Sequence, residues 1–518
     1  MSSIYYRPRW TCGRYNSANN VALIYNLIEG VSYYFEDYSA LVIGVILSIN
    51  RDKYITLEDL SKETDIDTNS LELFLNELVD LGLVTTELYT STKILAYRKR
   101  ISIHRCSQYD ESPNVLQEII DSNGSNAEMV YADKIGGITS VMLELTYKCS
   151  ESCLHCYNPG ATRNNVEINL RGDREELILD DYKRVIDELC EQGLFKVCLS
   201  GGDPFSKRII WEVIDYLYEK ELAFDIFTNG IGAIGNVDRL ANYYPRLIGV
   251  SLYSNIPTVH DEITRTVGSY QKTISFIRLC AEQGIPLNLK CCIMLLNINS
   301  YYTVKDVAKK YGAIPQFDLN ITDSVEGDKC ASHNLRLTSE LMEIVLRDKD
   351  LPYYVDSSGV IKEKGRNLSE KVCGAGITSF CITPEGNIQP CCAFPFRIGN
   401  VKDESIYDIL SKSVGWHWWQ QQKNENFVEC YKHDYCVYCQ MCPGNNYIAH
   451  GTPLKPSDNN CFLAITRYKL ARKMENGYDP LCGKSLKERL QEVEVHIPNL
   501  QREESVNYRN FNRVNEVS

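Results

Sequence analysis

Three cysteines stand on one short stretch, Cys149-Ser-Glu-Ser-Cys153-Leu-His-Cys156, directly behind a β-rich apolar run, Val141–Thr146. Three thiolates so spaced can each hold one iron of a four-iron cubane, which leaves the fourth iron open. An open iron can bind a small molecule, as a fully ligated electron-transfer cluster cannot. A zinc loop is the competing reading, but zinc asks for a fourth ligand, and His155 lies awkwardly between two of the thiols. A second field follows, with nine cysteines between Cys373 and Cys461. It opens with Cys373, Cys381, Cys391 and Cys392 and continues as Cys430-x5-Cys436-x2-Cys439-x2-Cys442-x18-Cys461. Close pairs with a distant closing cysteine suit polynuclear sites, whose ligands converge from several directions. The Thr383-Pro-Glu-Gly-Asn turn predicts a hairpin that brings Cys373 and Cys391 together. One or two zinc sites are the alternative. The other nine cysteines read as small core hydrophobes, and Cys392 fits either role.

The chain around these cysteines is globular and acidic. It has 518 residues, 44% apolar and 24% charged, and 55 basic against 68 acidic side chains give a net charge of −13. Length sets a prior of roughly three to four domains. The acidic balance argues against a nucleic-acid partner. The longest apolar run, Ala40–Ile49, falls far short of the ~20 residues of a membrane span, and no signal-peptide core opens the chain. A cytoplasmic location is expected. In a reducing cytosol, 21 cysteines point to metal or redox work rather than to disulfides.

The elements that must position the first cysteines are legible. Strands are predicted at Val141–Thr146, Lys196–Ser200, Ala223–Thr228, Leu247–Leu252, Leu287–Leu295 and Gln316–Asn320. Helices are predicted at about 179–192, 207–220, 236–243, 270–284 and 301–311. Strands alternating with helices make parallel βα units. Six of them suit an α/β fold with an open, partial (βα)6 TIM barrel, whose chemistry belongs at the strand C-termini. Ahead of it, residues 15–90 read as a winged-helix-like α+β module. A hairpin (Val21–Leu27, Val31–Phe35) precedes helices at about 38–49, 56–62 and 69–81 and a closing strand at Leu83–Thr86. Thr56 and Asp59 form a capping box. Residues 91–140 are a poorly patterned bridge with a loop at Asp121–Asn126. The barrel spans 141–345, the cysteine-rich domain 346–475, and a charged tail 476–518. Trp416–Trp419 read as a helix face anchored in the core.

The segment Leu143–Tyr157 resembles the radical S-adenosylmethionine (SAM) superfamily. There, three cysteines at this spacing hold a [4Fe–4S] cluster whose open iron chelates the amino and carboxylate groups of SAM. One-electron reduction then splits SAM into methionine and a 5′-deoxyadenosyl radical. The resemblance makes Cys149, Cys153 and Cys156 the ligands and lays Tyr157 against the adenine. After the second strand, Gly201-Gly202-Asp203-Pro204 resembles the superfamily's Gly-Gly-Glu-Pro, with Asp for Glu, and implies contact with the SAM amine. Ser251 and Arg265, in a stretch similar to the family's fourth strand and following helix, become candidates for its ribose or carboxylate. Asn229-Gly230 is a weaker one.

The second cysteine field resembles the SPASM extension of radical SAM peptide-modifying enzymes, which carries two auxiliary [4Fe–4S] clusters. Cys373-x12-Gly386-x4-Cys391 fits its first part, while the later spacings depart from it. By order the resemblance assigns Cys430, Cys436, Cys439 and Cys461 to an outer cluster. Cys373, Cys391 and Cys442 go to an inner one, with Cys381 either its fourth ligand or leaving an open iron. With the SAM-binding cluster, three clusters are expected. The N-terminal module resembles the PqqD-like recognition element, which binds the leader of a ribosomal precursor peptide by strand addition, here at the Val31–Phe35 edge. A DNA-binding winged helix is the alternative, but acidic helices oppose phosphate. The order of modules resembles sactipeptide and ranthipeptide maturases. It implies hydrogen abstraction from a precursor peptide, a crosslink of Cys-to-carbon thioether type, and an electron donor such as flavodoxin or ferredoxin. Carbon–carbon or ether crosslinking, or oxidation of a protein Cys or Ser, is the nearest rival. A non-enzymatic zinc-binding winged-helix regulator is the rival of another class.

Overall fold

Six apolar runs separated by amphipathic helices fold, in the computed structural model, as six parallel neighbours in chain order. Residues 3–111, 127–158, 175–325, 330–351, 353–355, 367–439 and 441–495 are described; the expected loop Asp121–Asn126 and the tail beyond 495 lie outside them. Strands β6 (Ser140–Glu144), β7 (Lys196–Ser200), β8 (Ala223–Thr228), β9 (Leu247–Ser251), β10 (Leu287–Cys292) and β11 (Ile314–Asp318) pair side by side, and the row ends at β11 without closing. This is a partial barrel. Side chains alternate along each strand. Val141, Leu143, Val197, Leu199, Ile226, Ile248, Val250 and Leu289 turn outward into the main core under the helices. The alternate residues face inward and are mostly polar.

The cysteine-rich part is continuous with this sheet. Strand β12 (Ser379–Ile382) pairs in parallel with β6, and β13 (Asn387–Gln389) and β14 (Gly399–Asn400) follow antiparallel. The predicted hairpin is present, and its turn is closed by the Gly386 N–H on the Thr383 carbonyl at 2.9 Å, with Gly386 at φ 89°. The helix Val414–Gln421 sets Trp416 against Phe380 and Trp419 against Phe394.

The N-terminal module is a meander of β2 (Thr11–Asn16), β3 (Val21–Asn26) and β4 (Val31–Glu36), followed by α1 (Asp37–Ser48), α2 (Leu57–Thr64) and α3 (Thr68–Asp80). The Thr56–Asp59 cap of α2 is formed. Two features differ from expectation. The hairpin gains β2 as a third strand, and the closing strand at Leu83–Thr86 is only a single bridge from Thr85 to Tyr6 of β1 (Ile4–Tyr6), which pairs with β5 (Tyr54–Thr56). Strand β4 lies at the edge of the meander.

Strand β3 is buried along its whole length because both faces are covered. Ala22 and Ile24 meet the module's own helices, while Val21, Leu23 and Tyr25 meet Phe195, Ala223 and Tyr244 at the N-terminal ends of the barrel strands. Polar contacts lock the seam. Glu221 takes both Arg7 and Arg51, the latter at 2.9 Å, and the Arg51 guanidinium lies 3.7 Å over the Tyr218 ring. The bridge is also more regular than its sequence suggests: α4 covers Ser91–Glu111 and residues 127–135 are helical. In α4 the buried stripe includes Arg98, which donates to the Ala241 carbonyl at 2.6 Å, so a charged residue interrupts the apolar period.

Candidate active site

The loop after β6 carries Cys149, Cys153 and Cys156 to the C-terminal end of the barrel, where all three line one cavity of about 340 Å³. The last turn of the Pro257–Thr264 helix and the end of β8 hold the loop in place. The Ser152 and Leu154 N–H groups donate to the Thr264 and Ile263 carbonyls at 3.0 and 2.9 Å. Asn229, after β8, donates to the Cys149 sulfur at 3.5 Å and to the Ser150 hydroxyl at 3.1 Å. The paired glycines are a steric requirement. A β-carbon on Gly201 would come within 2.3 Å of the Thr146 carbonyl oxygen, and one on Gly202 within 2.5 Å of the Tyr147 and Lys148 oxygens. Gly201 also has φ 125°, a region that side chains avoid.

Burial pushes the Cys149 thiol up to about 12, with the neighbouring Asp203 adding to it, and Cys153 well above its usual range. Half-buried thiols of this kind are ionised outright by a bound metal. Among the described residues no three His, Cys, Asp or Glu side chains converge on one point as a single metal ion requires. A cubane asks instead for one thiolate at each of several corners, which fits three thiols around a shared cavity.

The remaining SAM candidates separate. Tyr157, Gly201, Gly202 and Ser251 line the cavity. Asp203 does not reach it. Its carboxylate is buried and takes the Phe205 N–H at 2.9 Å, the Thr228 hydroxyl at 2.7 Å and the Asn229 N–H at 2.9 Å. Its acceptors are committed to holding the β7 and β8 loops together, and Pro204 opens the short 3-10 turn that it caps. Arg265 is exposed at the C-terminal cap of the Pro257–Thr264 helix and is not part of the cavity wall. The signal in that stretch belongs to Asp261, which accepts from Gly268, Ser269 and Tyr270 and fixes the turn beneath the cysteine loop. Sequence reasoning missed Thr228, Tyr253, Lys290, Asp318 and Asn320, which also line the cavity. Position within the strands was their only signal: each lies at or just beyond a strand's C-terminal half.

The second field forms two groups. Cys430, Cys436, Cys439 and Cys461 line a separate cavity of about 260 Å³. Cys373, Cys391 and Cys442 line neither of these two cavities. The Cys373 and Cys391 side chains pack on the Phe394–Trp419 cluster, and the Cys442 thiol accepts from the Gly444 and Asn445 N–H groups. Cys381 goes elsewhere. It sits on β12 opposite Met142 of β6, facing the barrel interior, with Gln389 and Glu144 as its polar neighbours. Cys392, 3.9 Å from Cys391, reaches the Tyr157 hydroxyl from the other side.

Residues 143–309 match the Radical SAM superfamily, and residues 373–443 match the iron-sulfur cluster-binding domain SPASM. A chain with these two matches is an iron–sulfur enzyme that uses S-adenosylmethionine, with [4Fe–4S] clusters as its further cofactors. Among known proteins it is similar to the antilisterial bacteriocin subtilosin biosynthesis protein AlbA of Bacillus subtilis, 25% identical over 71% of this chain and 84% of that one. It is also similar to the mycofactocin maturase MftC of Mycobacterium tuberculosis, 25% identical over 64% of this chain and 84% of that one. Among solved structures, Streptococcus suis SuiB bound to precursor peptide SuiA aligns over 88% of this chain and 99% of its own, at 14% identity and a TM-score of 0.49.

Proposed function

We propose that the chain is a maturase of a ribosomally made peptide, in which it installs a thioether between a cysteine sulfur and an unactivated carbon. The observation that carries the reading is the similarity, over most of both chains, to a subtilosin biosynthesis protein and a mycofactocin maturase. The N-terminal module adds to it as a PqqD-like recognition element. Strand β4 lies at the edge of its meander, and strand addition there gives a leader peptide backbone bonds without demanding a strict sequence.

When bound, the SAM-holding cluster supplies the electron that splits SAM, and with it the radical that takes hydrogen from carbon. Cys149, Cys153 and Cys156 hold that cluster, and Asn229 tunes it through the Cys149 sulfur. The Gly201–Gly202 backbone, Ser251 and Tyr157 form the wall against which SAM lies. Thioether formation removes one hydrogen atom from carbon and one proton from the thiol and leaves one electron over, which auxiliary clusters held by the second cysteine field would accept. Cys373, Cys391 and Cys442 hold the inner cluster, and Cys430, Cys436, Cys439 and Cys461 the outer. A flavodoxin or ferredoxin supplies the reducing electron.

The test is co-expression with each short cysteine-containing reading frame beside its gene, followed by mass spectrometry. A thioether removes two hydrogens and one alkylatable thiol. A carbon–carbon or ether crosslink removes two hydrogens and leaves the thiol free. No change in any peptide, with fully loaded enzyme, contradicts the proposal.

A further inference from the structure

Lys290 lies outside every motif the sequence suggests, yet it lines the same cavity as Cys149, Cys153 and Cys156. It stands on β10 with its stem running across the barrel interior. A β-carbon on Gly249 would come within 2.6 Å of the Lys290 Cε, so the glycine makes the channel in which the stem lies. The ammonium rests 3.9 Å from the centroid of the Phe227 ring.

Among the described residues no carboxylate lies within ion-pair distance of this ammonium. Asp225, the nearest on β8, is taken by Arg246. Asp318, on the adjacent β11, accepts the Asn320 N–H at 2.8 Å and stands diagonal to Lys290, whose partner in register is Gln316. The neighbouring thiols Cys198 and Cys292 are half-buried, and desolvation raises both above the ordinary thiol range, so neither readily offers an anion. A cation removed from water is costly unless paired, and the face of one phenylalanine restores only part of what hydration gave. Here the unpaired cation faces the space beneath the cysteine loop, where a substrate group must come to be attacked.

We propose that Lys290 is a substrate-binding residue that receives a carboxylate of the peptide, either an Asp or Glu side chain near the reacting residue or the peptide's C-terminal group. This rests on the peptide-maturase reading above. A compact ammonium with three donors suits a carboxylate arriving from a variable direction.

The first arm of the test needs no peptide. Iron-loaded wild-type enzyme with SAM is treated with acetic anhydride, and labelling of Lys290 is followed by mass spectrometry with propionate or with propionamide present. Propionate should slow labelling by about tenfold and propionamide should not, since a charged acceptor binds an ammonium far better than a neutral one. Equal protection by the two, or none, overturns the site. The second arm uses the peptide identified by co-expression. Changing its Asp and Glu residues to Asn and Gln, or amidating its C-terminus, tells the two carboxylate sources apart. The relevant change should raise KM about tenfold with wild-type enzyme and add nothing further with Lys290→Met, because the two remove the same contact. Additive losses, or a Lys290→Met defect confined to the KM for SAM, overturn the assignment. If no peptide is modified by wild-type enzyme, the maturase reading fails while the propionate arm still decides the site.

Discussion

The side-chain amide of Asn229 lies 3.5 Å from the sulfur of Cys149, so the end of β8 donates a hydrogen bond directly to the first cysteine of the loop. Hydrogen bonds to ligand sulfur stabilise the more negative, reduced state of an iron–sulfur cluster. Asn229→Ala should therefore shift the SAM-binding cluster's potential to more negative values and slow SAM cleavage, with iron content little changed. Potentiometric titration followed by electron paramagnetic resonance checks it. An unchanged potential would show that the contact is not made in the loaded enzyme.

Gly202→Ala places a methyl group where two backbone carbonyl oxygens already stand at 2.5 Å. Neither is a flexible side chain that can swing away. The β7 turn and the cysteine loop should separate, with cluster incorporation at the first site lost and iron at the auxiliary sites kept. Iron and sulfide analysis on the anaerobically reconstituted variant reads this directly.

The position of Cys381 makes a sharp distinction. It faces the barrel interior beside Glu144 and Gln389, and the cysteines that bear on it are Cys392 and Cys198 rather than Cys373 or Cys442. Cys381→Ala should retain the wild-type iron content, whereas Cys373→Ala should lose about four irons, one cubane's worth. Equal losses in the two variants would place Cys381 among the ligands.

Glu144 is wholly buried, and burial pushes its pKa up to about 8, against the opposing effect of the Tyr147 hydroxyl at 3.1 Å. A carboxyl whose folded pKa lies above its unfolded value stabilises the fold while protonated. That contribution is present in full at low pH and is lost as pH rises from about 4.5 toward 8. Glu144→Gln should flatten the fall in stability across that window. Thermal unfolding of wild type and variant at a series of pH values measures it, and parallel curves would contradict it.

Much of this architecture is legible in the sequence because parallel strands and their helices leave distinct periods. The expected strands at Lys196–Ser200 and Ala223–Thr228 coincide with β7 and β8. What stayed hidden depends on neighbours far along the chain. Strand β2, TCGRYN, shows no apolar alternation, and its Gly13 is needed because β3 passes too close for a side chain. The α4 period is broken by Arg98, whose charge is satisfied by a carbonyl more than a hundred residues away. At the site, residue types in a motif do not reveal whether side chain or backbone faces the ligand. Asp203 and Arg265 match the motif but face away, while Lys290 matches no motif and lines the cavity.

Glu221 holds Arg7 and Arg51 at the seam between the N-terminal module and the barrel, and Arg7 has almost no solvent exposure. Glu221→Gln leaves buried guanidinium charge uncompensated, at a cost of about 3 kcal/mol. The module should become the first part cut in limited proteolysis, with the barrel surviving. A variant as resistant as wild type would show that the apolar face of β3 alone carries the docking.

Whether the cysteine loop holds the SAM-cleaving cluster is decided by SAM cleavage with dithionite-reduced, anaerobically loaded enzyme, wild type against Cys153→Ala. Wild type should form 5′-deoxyadenosine and methionine, and the variant should form none while keeping the iron of its auxiliary sites. Cleavage by the variant, or a wild-type protein that holds stoichiometric zinc and no sulfide, would contradict the account.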